Sequence, residues 1–190
     1  MSDWGLSRST VMTTVRAALW LSASFCSLLT GCTPVNDPSA GLSVPETVAL
    51  IDSTPRSDIL LPNLAEAFAL GTRATDVQRD QLEKNLVGRT VEWDLPVYDV
   101  SFADGRFDVT SQMIPTSNRA EAVPLLRVMV FVVPQGEADQ ALLMKVKTDD
   151  VIRVRGIVQE IRARAVVVVP GVVVGVPDTS EPTTSAETTS

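Results

Sequence analysis

Hydrophobic and polar residues alternate through the middle of the chain, beginning near residue 90. The odd-numbered positions of 91–97 are apolar, which predicts a β-strand with one buried face. The phase then shifts next to Pro96, and because proline cannot donate to a sheet ladder, this shift predicts a β-bulge. The Asp-Gly pair at 104–105 marks a hairpin turn, and segment 107–113 alternates again. We therefore predict two antiparallel strands.

Two later segments are apolar over longer runs. Residues 125–133 are apolar on both faces apart from Arg127, which predicts a buried central strand. Residues 151–169 alternate and then end in a run of valines, so we interpret them as two strands that meet near Glu160. The apolar run 172–176 is a candidate extension of the same sheet.

The segment that precedes these strands, 58–87, has a helical pattern. Asp58 is a candidate N-cap for a first helix, with Pro62 in its first turn, where proline is tolerated. Thr75 and Gln78 have the spacing of a capping box and predict the start of a second helix. One further helical turn is expected at 140–144.

A helical segment, a strand, a hairpin, a long strand and two more strands form the element order of a small Greek-key barrel. Residues 86–93 and 98–100, together with 147–158, resemble the OB-fold domains of bacterial envelope proteins of the tRNA-anticodon-binding-like type. The resemblance implies a mainly β fold, an OB-like barrel with an N-terminal helical segment. Nucleic-acid-binding OB folds carry aromatic and basic residues on strands two and three, and the third strand here is nearly all aliphatic. We therefore expect that this binding site is not carried over.

The N-terminal segment has the pattern of a secretory signal. Arg8 and Arg16 precede an uncharged apolar run, 17–29, which is too short for a comfortable membrane span. The run ends in Leu29-Thr30-Gly31-Cys32, which resembles the lipobox of bacterial lipoproteins. The resemblance implies cleavage before Cys32 and lipid attachment to that residue. An uncleaved anchor, or an ordinary signal with a chance cysteine, is the alternative.

Four regions follow from these patterns. We expect a signal peptide at 1–31, a lipidated and flexible tether at 32–57, a helix plus OB-like barrel domain at 58–176, and a disordered Ser/Thr-rich tail at 177–190. Acyl chains such as palmitate on the cysteine would hold the protein in the membrane. Thr33 follows the cysteine, and in lipoproteins such a residue favours the outer membrane, facing the periplasm. In a host with one membrane, the outer leaflet is expected.

Composition narrows the expected chemistry. The chain has a formal net charge of −7, which argues against general nucleic-acid binding and against electrostatic adhesion to anionic lipid. Of the 2 cysteines, Cys26 would leave with the signal and Cys32 would carry lipid, so no disulfide-linked partner is expected. The absence of histidine removes the commonest general base and the commonest transition-metal ligand. We expect no cofactor and no metal.

Three groups of side chains are candidates for a site. A basic group on the last strands could bind an anion or an acidic protein surface, but a solvated strand edge that pairs with nearby acids is the simpler interpretation. An aromatic group around the hairpin could be a stacking platform, although core packing is the simpler interpretation. The acidic pair Asp149 and Asp150 is better explained as a turn than as a cation site. The basic group is Arg153, Arg155, Arg162 and Arg164, and the aromatic group is Trp93, Tyr98, Phe102 and Phe107.

No catalytic motif is present in the sequence. We therefore expect a non-enzymatic, membrane-anchored envelope lipoprotein that acts as a binding module for a protein or an envelope polymer, with no nucleic-acid partner. An accessory subunit of a secretion, transport or cell-wall complex is the first alternative. A hydrolase that depends on carboxylates alone is the second.

Overall fold

The computed structural model describes residues 37–116, 123–162 and 164–177. The predicted signal peptide, Cys32 and residues 178–190 of the predicted tail lie outside the described residues. The five strands are β1 (Thr90–Ala103), β2 (Arg106–Ser111), β3 (Arg127–Val132), β4 (Val151–Arg162) and β5 (Ala165–Gly175). The helices are α1 (Val44–Ser53), α2 (Leu61–Phe68), α3 (Asp76–Leu86) and α4 (Glu137–Leu143). None of these helices is long and apolar enough to span a bilayer.

The strands close into a barrel in the order β1-β2-β3-β5-β4. Every neighbouring pair is antiparallel except β3 and β5, which run parallel. This arrangement confirms the predicted fold class, a mainly β OB-like barrel with an N-terminal helical segment. Closure leaves the inner face of each strand to form the core and the outer face to be covered by helices or exposed.

Strand β1 is long because it serves two neighbours. Its first half pairs with β4 as far as Pro96, and its second half pairs with β2. The register shifts between Val97 and Asp99, so the predicted bulge exists and lies two residues beyond the proline. The predicted hairpin turn is also confirmed, since Asp104 and Gly105 have φ values of 53° and 79°. We name the end of the barrel that carries this turn the hairpin end.

Strand β3 differs from its prediction. Val128, Val130 and Val132 point into the core, whereas Met129 is 37% exposed and Phe131 is half-buried on the outer face. The apolar run suggested burial on both faces because Met and Phe alternate with Val. In the barrel, only one face of β3 belongs to the core, and the other becomes part of an open surface.

Strands β4 and β5 also differ from their predicted limits. β4 continues past Glu160 to Arg162, and β5 runs without interruption through the segment 172–175. The two strands approach each other closely at Gly156 and Gly171, which are cross-strand partners. A Cβ atom on Gly156 would lie 2.5 Å from the Pro170 carbonyl oxygen and 2.9 Å from the Gly171 Cα. Glycine is therefore required where these strands coil around each other.

Helices α2 and α3 pack at the end of the barrel opposite the hairpin end. Leu61, Leu64 and Leu86 join the main core cluster, and Trp93 Nε1 donates a hydrogen bond to the Ile59 carbonyl at 3.0 Å. α3 begins at the predicted capping box, but α2 begins after Leu60 and not at Asp58. Leu60 is followed by an apolar helix N-terminus that docks into the core, and this packing decides where the helix starts.

The segment predicted as a tether contains a helix that packs against the barrel. In α1, Ile51 is fully buried against Ile157 and Val172 on the outer face of β4 and β5. Ser43 starts this helix by donating two hydrogen bonds to Glu46, from its backbone at 2.8 Å and its hydroxyl at 2.6 Å. These hydrogen bonds lower the pKa of Glu46. The folded part therefore begins before residue 58.

Candidate binding face of the barrel

One outer surface of the barrel combines arginine, aromatic and methionine side chains. It is formed by the outer faces of β2 and β3 and by the bulge of β1. The register places Asp108 beside Phe131 and Thr110 beside Met129 across the two strands. We name this surface the arginine–aromatic face and define it by Tyr98, Arg106, Asp108, Arg127, Met129 and Phe131.

Both arginines of this face lie over aromatic rings. The Arg106 Cζ is 4.5 Å from the Phe131 ring centroid, and the Arg127 Cζ is 5.2 Å from the Tyr98 ring centroid. Such cation–π contacts contribute about 0.5–1 kcal/mol each at exposed sites. Their structural effect is to hold two planar, charged groups in a fixed orientation, which lowers the entropic cost of binding a partner.

The face also holds polar atoms that the described residues leave unsatisfied. Arg127 Nε and Asp108 Oδ1 are buried and have no hydrogen-bond partner there. The nearest cation to Asp108 is Arg106, whose Nε is 3.7 Å from Oδ1, beyond hydrogen-bond distance. Burial raises the pKa of Asp108, and the charge of Arg106 only partly opposes this effect. Because both atoms are buried, their missing hydrogen bonds are a cost within the fold and not contacts offered at the surface.

Exposed apolar area lies between these polar groups. Tyr98 is 49% exposed and Met129 is 37% exposed. Aromatic residues, Met and Arg are enriched in the centres of protein interfaces, where Lys and Glu are depleted. The arginine–aromatic face has this composition. Sequence analysis does not identify this face, because the apolar run of β3 predicts burial on both faces. The alternation of Arg127, Met129 and Phe131 with the core valines is the signal that could have identified it.

The arginine cluster predicted from the sequence is distributed along the barrel. Arg153 forms a bidentate pair with Asp94, with N–O distances of 2.7 and 2.9 Å. Arg155 lies 3.2 Å from Asp52 of α1. These two pairs occupy the first half of β4, where the arginines hold neighbouring elements in place.

The other two predicted arginines lie at the far end of β4. Arg162 pairs with Glu160 at 3.1 Å, and Arg164 has a φ of 71° in the turn that leads to β5. Arg155 and Arg162 are seven positions apart on one strand, which corresponds to roughly 23 Å. The geometry does not gather the four guanidiniums into one surface, and it agrees with the alternative of an ion-paired strand face.

The remaining predicted groups fall into two classes. Trp93 and Phe107 are buried in the core, as the core interpretation expects, whereas Tyr98 and Phe102 are exposed. Asp149 accepts a hydrogen bond from Gln112 Nε2 at 3.0 Å and has a φ of 74°, which is a turn conformation. Among the described residues, no three carboxylate or thiol groups are placed to hold a metal ion.

A cleft beside α4 is a further candidate for a site. The cleft has a volume of about 610 Å³ and combines apolar side chains with carboxylates. Asp94 and Asp150 in its wall are already engaged, by Arg153 and by the Lys147 backbone amide at 2.8 Å. These carboxylates support the fold, so we place the candidate site on the arginine–aromatic face. The cleft is lined by Asp94, Leu142, Lys145, Val146, Asp149, Asp150, Val151, Ile152, Val176 and Pro177.

No protein-family model matches this sequence, and no curated protein matches it. Among solved structures, the chain is similar to the Stn1-ten1 complex of S. pombe, with 9% identity, a TM-score of 0.30, and coverage of 44% of this chain and 57% of that one. It is also similar to aspartyl-tRNA synthetases from Entamoeba histolytica (13% identity, TM-score 0.33, coverage 51% and 20%) and Leishmania major Friedlin (12% identity, TM-score 0.32, coverage 52% and 20%). The chain therefore spans less than two thirds of each of these proteins.

The partner prediction from the sequence requires a correction. It excluded nucleic acid on the basis of the acidic composition and a third strand interpreted as aliphatic. That exclusion is wrong in its structural premise. The outer face of β3 carries Arg127, Met129 and Phe131, and the Arg127 and Arg106 guanidiniums lie over the rings of Tyr98 and Phe131. An average charge over the whole chain does not describe one face of the barrel.

Proposed function

We propose that this protein is a non-enzymatic envelope lipoprotein, anchored by lipid on Cys32, whose barrel binds a partner protein through the arginine–aromatic face. The lipobox-like residues 29–32 support the anchor. The arginines over aromatic rings, together with the exposed Tyr98 and Met129, support the binding role. The location is the outer membrane, facing the periplasm, or the outer leaflet of the cell membrane in a host with one membrane.

The composition of the face is the observation that carries this proposal. Its two arginines have their guanidinium carbons over the rings of Phe131 and Tyr98, and Met129 lies between Arg127 and Phe131 in β3. The Arg127 guanidinium can bind a carboxylate or a backbone carbonyl of a partner while its hydrophobic neighbours exclude water, whereas Arg106 already pairs with Asp37. A protein surface offers both kinds of group within one interface.

A photocrosslinking amino acid at Met129 in living cells would test the proposal. Position 77 is the matched control, since Val77 is 73% exposed on α3, at the other end of the barrel. We expect a discrete protein adduct from position 129, none from position 77, and loss of the adduct when Arg127→Ala is added. A nucleic-acid adduct, no adduct, or the same smear from both positions would contradict a protein partner.

The anchor has its own test. Metabolic labelling with a palmitate analogue should label the wild-type protein. A Cys32→Ala variant should stay unlabelled and should keep its signal segment. Equal labelling of both would contradict lipid attachment at Cys32.

Two alternatives stay as predictions. Copurification of one partner in a fixed ratio would favour the accessory subunit over a general binding module. A carboxylate-dependent hydrolase would require a hydrolytic activity that is lost on mutation of a single Asp or Glu of the barrel.

A further inference from the structure

The N-terminal end of the described chain is attached to the barrel through one carboxylate. Asp37 Oδ2 accepts a hydrogen bond from Arg106 Nη1 at 3.1 Å. Its Oδ1 accepts two more from Ser39, from the backbone N–H at 2.8 Å and from the hydroxyl at 2.6 Å. Ser39 is only 7% exposed, so this turn lies against the protein surface. The chain therefore enters the fold at a defined point.

That entry point belongs to the hairpin end of the barrel. Arg106 is the first residue of β2 and directly follows the turn. On the other strand of the same hairpin, Phe102 is 55% exposed, with its ring centroid 4.7 Å from that of the buried Phe107. The place where the chain enters and an exposed aromatic ring thus share one end of the barrel.

Chain length limits how far this end can lie from an anchor on Cys32. Only the four residues 33–36 separate Cys32 from Asp37. A fully extended chain spans about 3.5 Å per residue, so a lipid on Cys32 can lie at most ~18 Å from Asp37. By comparison, β1 runs from the α3 end to the hairpin end over roughly 40 Å of strand.

On the basis of the proposed lipid on Cys32, we infer that the hairpin end of the barrel faces the bilayer and that Phe102 contacts its interfacial region. α2 and α3 then lie at the end that faces away from the membrane. Asp104, which is exposed in the turn, disfavours anionic headgroups at this end. The membrane contact is therefore apolar, with a zwitterionic lipid surface as the partner.

This inference can be tested with the lipidated protein in phosphatidylcholine vesicles that contain nitroxide-labelled lipids. After cleavage of the signal, Cys32 would be the only native cysteine, and its thiol would carry the lipid. The variants Phe102→Cys and Val77→Cys therefore each accept one fluorophore. We expect quenching by the nitroxide lipids to be several-fold stronger at position 102 than at position 77. Equal quenching at both positions, with the protein still floating with the vesicles, would overturn the orientation and leave the anchor intact.

A second pair of variants tests the attachment at Asp37. Arg106→Gln removes the ion pair and lengthens the free chain, so quenching at position 102 should fall towards the value at position 77. Arg155→Gln is the matched control, because it breaks a comparable pair with Asp52 at 3.2 Å that lies outside the entry point. Unchanged quenching in the Arg106 variant would overturn the role of this attachment. Failure of the wild-type protein to float with vesicles would instead overturn the lipid anchor itself.

Discussion

At the residue scale, the tightest constraint in the barrel is the space around Gly156. An added Cβ would lie 2.5 Å from the Pro170 carbonyl oxygen and 2.5 Å from Val168 Cγ1. Since two of the three nearest atoms belong to the backbone, the strands themselves would have to move. We expect Gly156→Ala to lower the free energy of unfolding by about 2–3 kcal/mol, measured by urea denaturation.

Gly136 is the matched control for this prediction. A Cβ there would meet nothing within 4 Å, and its φ of 178° is ordinary extended backbone. Because Gly136 is only the N-cap residue of α4, Gly136→Ala should cost less than about 1 kcal/mol. Equal losses in both variants would show that the close approach of β4 and β5 does not constrain position 156.

Asp108 makes stability depend on pH. Burial raises its pKa above the ordinary value of 3.8, so the folded protein holds this proton more tightly than the unfolded chain. The stability that Asp108 contributes is present below pH 3.8 and is lost as pH rises through the folded pKa. Asp108→Asn should therefore stabilise the protein more at pH 7 than at pH 3, as measured by urea midpoints.

A charge control separates this effect from a change in net charge. Asp80→Asn removes one negative charge from an exposed position on α3. We expect its stability difference from wild type to change less with pH than that of Asp108→Asn. If Asp108→Asn gave the same difference at both pH values, burial of this carboxylate would not be the cause.

At the element scale, α3 depends on its first turn more than on its packing. Only Leu86 of this helix is buried. The Thr75 hydroxyl oxygen accepts a hydrogen bond from the Gln78 backbone N–H at 3.3 Å. We expect Thr75→Ala to cost about 1 kcal/mol, seen as faster hydrogen exchange in the first turn of α3. Val77→Ala, at a position that is 73% exposed, should leave exchange unchanged. Equal exchange in the two variants would contradict the role of the cap.

Local sequence signals are sufficient to predict a structural feature when that feature depends only on neighbouring residues. The capping box at Thr75 and the Asp-Gly turn at 104–105 require only neighbouring residues, and both were predicted. The outer face of β3 could not be assigned in the same way, because Met129 and Phe131 are as apolar as core residues. Their exposure follows from barrel closure, which no single strand specifies.

The candidate site was harder to predict for the same reason. Two arginines of the predicted basic group, Arg153 and Arg155, pair with Asp94 and Asp52 from distant segments. Arg106 and Arg127 look isolated in the sequence, 21 positions apart, yet they belong to neighbouring strands. Strand register, which depends on the whole barrel, decides which arginines share a surface.

At the scale of the whole molecule, the segment before residue 58 is part of the fold. Thr90 Oγ1 donates a hydrogen bond to the Ile51 carbonyl at 2.8 Å, and the Thr90 amide donates to Pro55 at 3.0 Å. Ile51 also covers Ile157 and Val172, which would otherwise be exposed on the outside of the barrel. α1 therefore completes the second, smaller core of the protein.

The last prediction tests this view against the tether suggested by the sequence. Ile51→Ala should lower the free energy of unfolding by about 2–4 kcal/mol, because it leaves a cavity between α1 and the barrel. Leu42→Ala is the control, since Leu42 is 41% exposed and precedes α1.

A chain that begins at Asp58 should unfold at a lower urea concentration than one that begins at Asp37. Equal midpoints for both chains would mean that the segment only connects the barrel to its anchor. A lower midpoint for the chain that begins at Asp58 would mean that 37–57 belongs to the fold. Only residues 33–36 would then separate the barrel from the lipid, and the inferred orientation depends on this short distance.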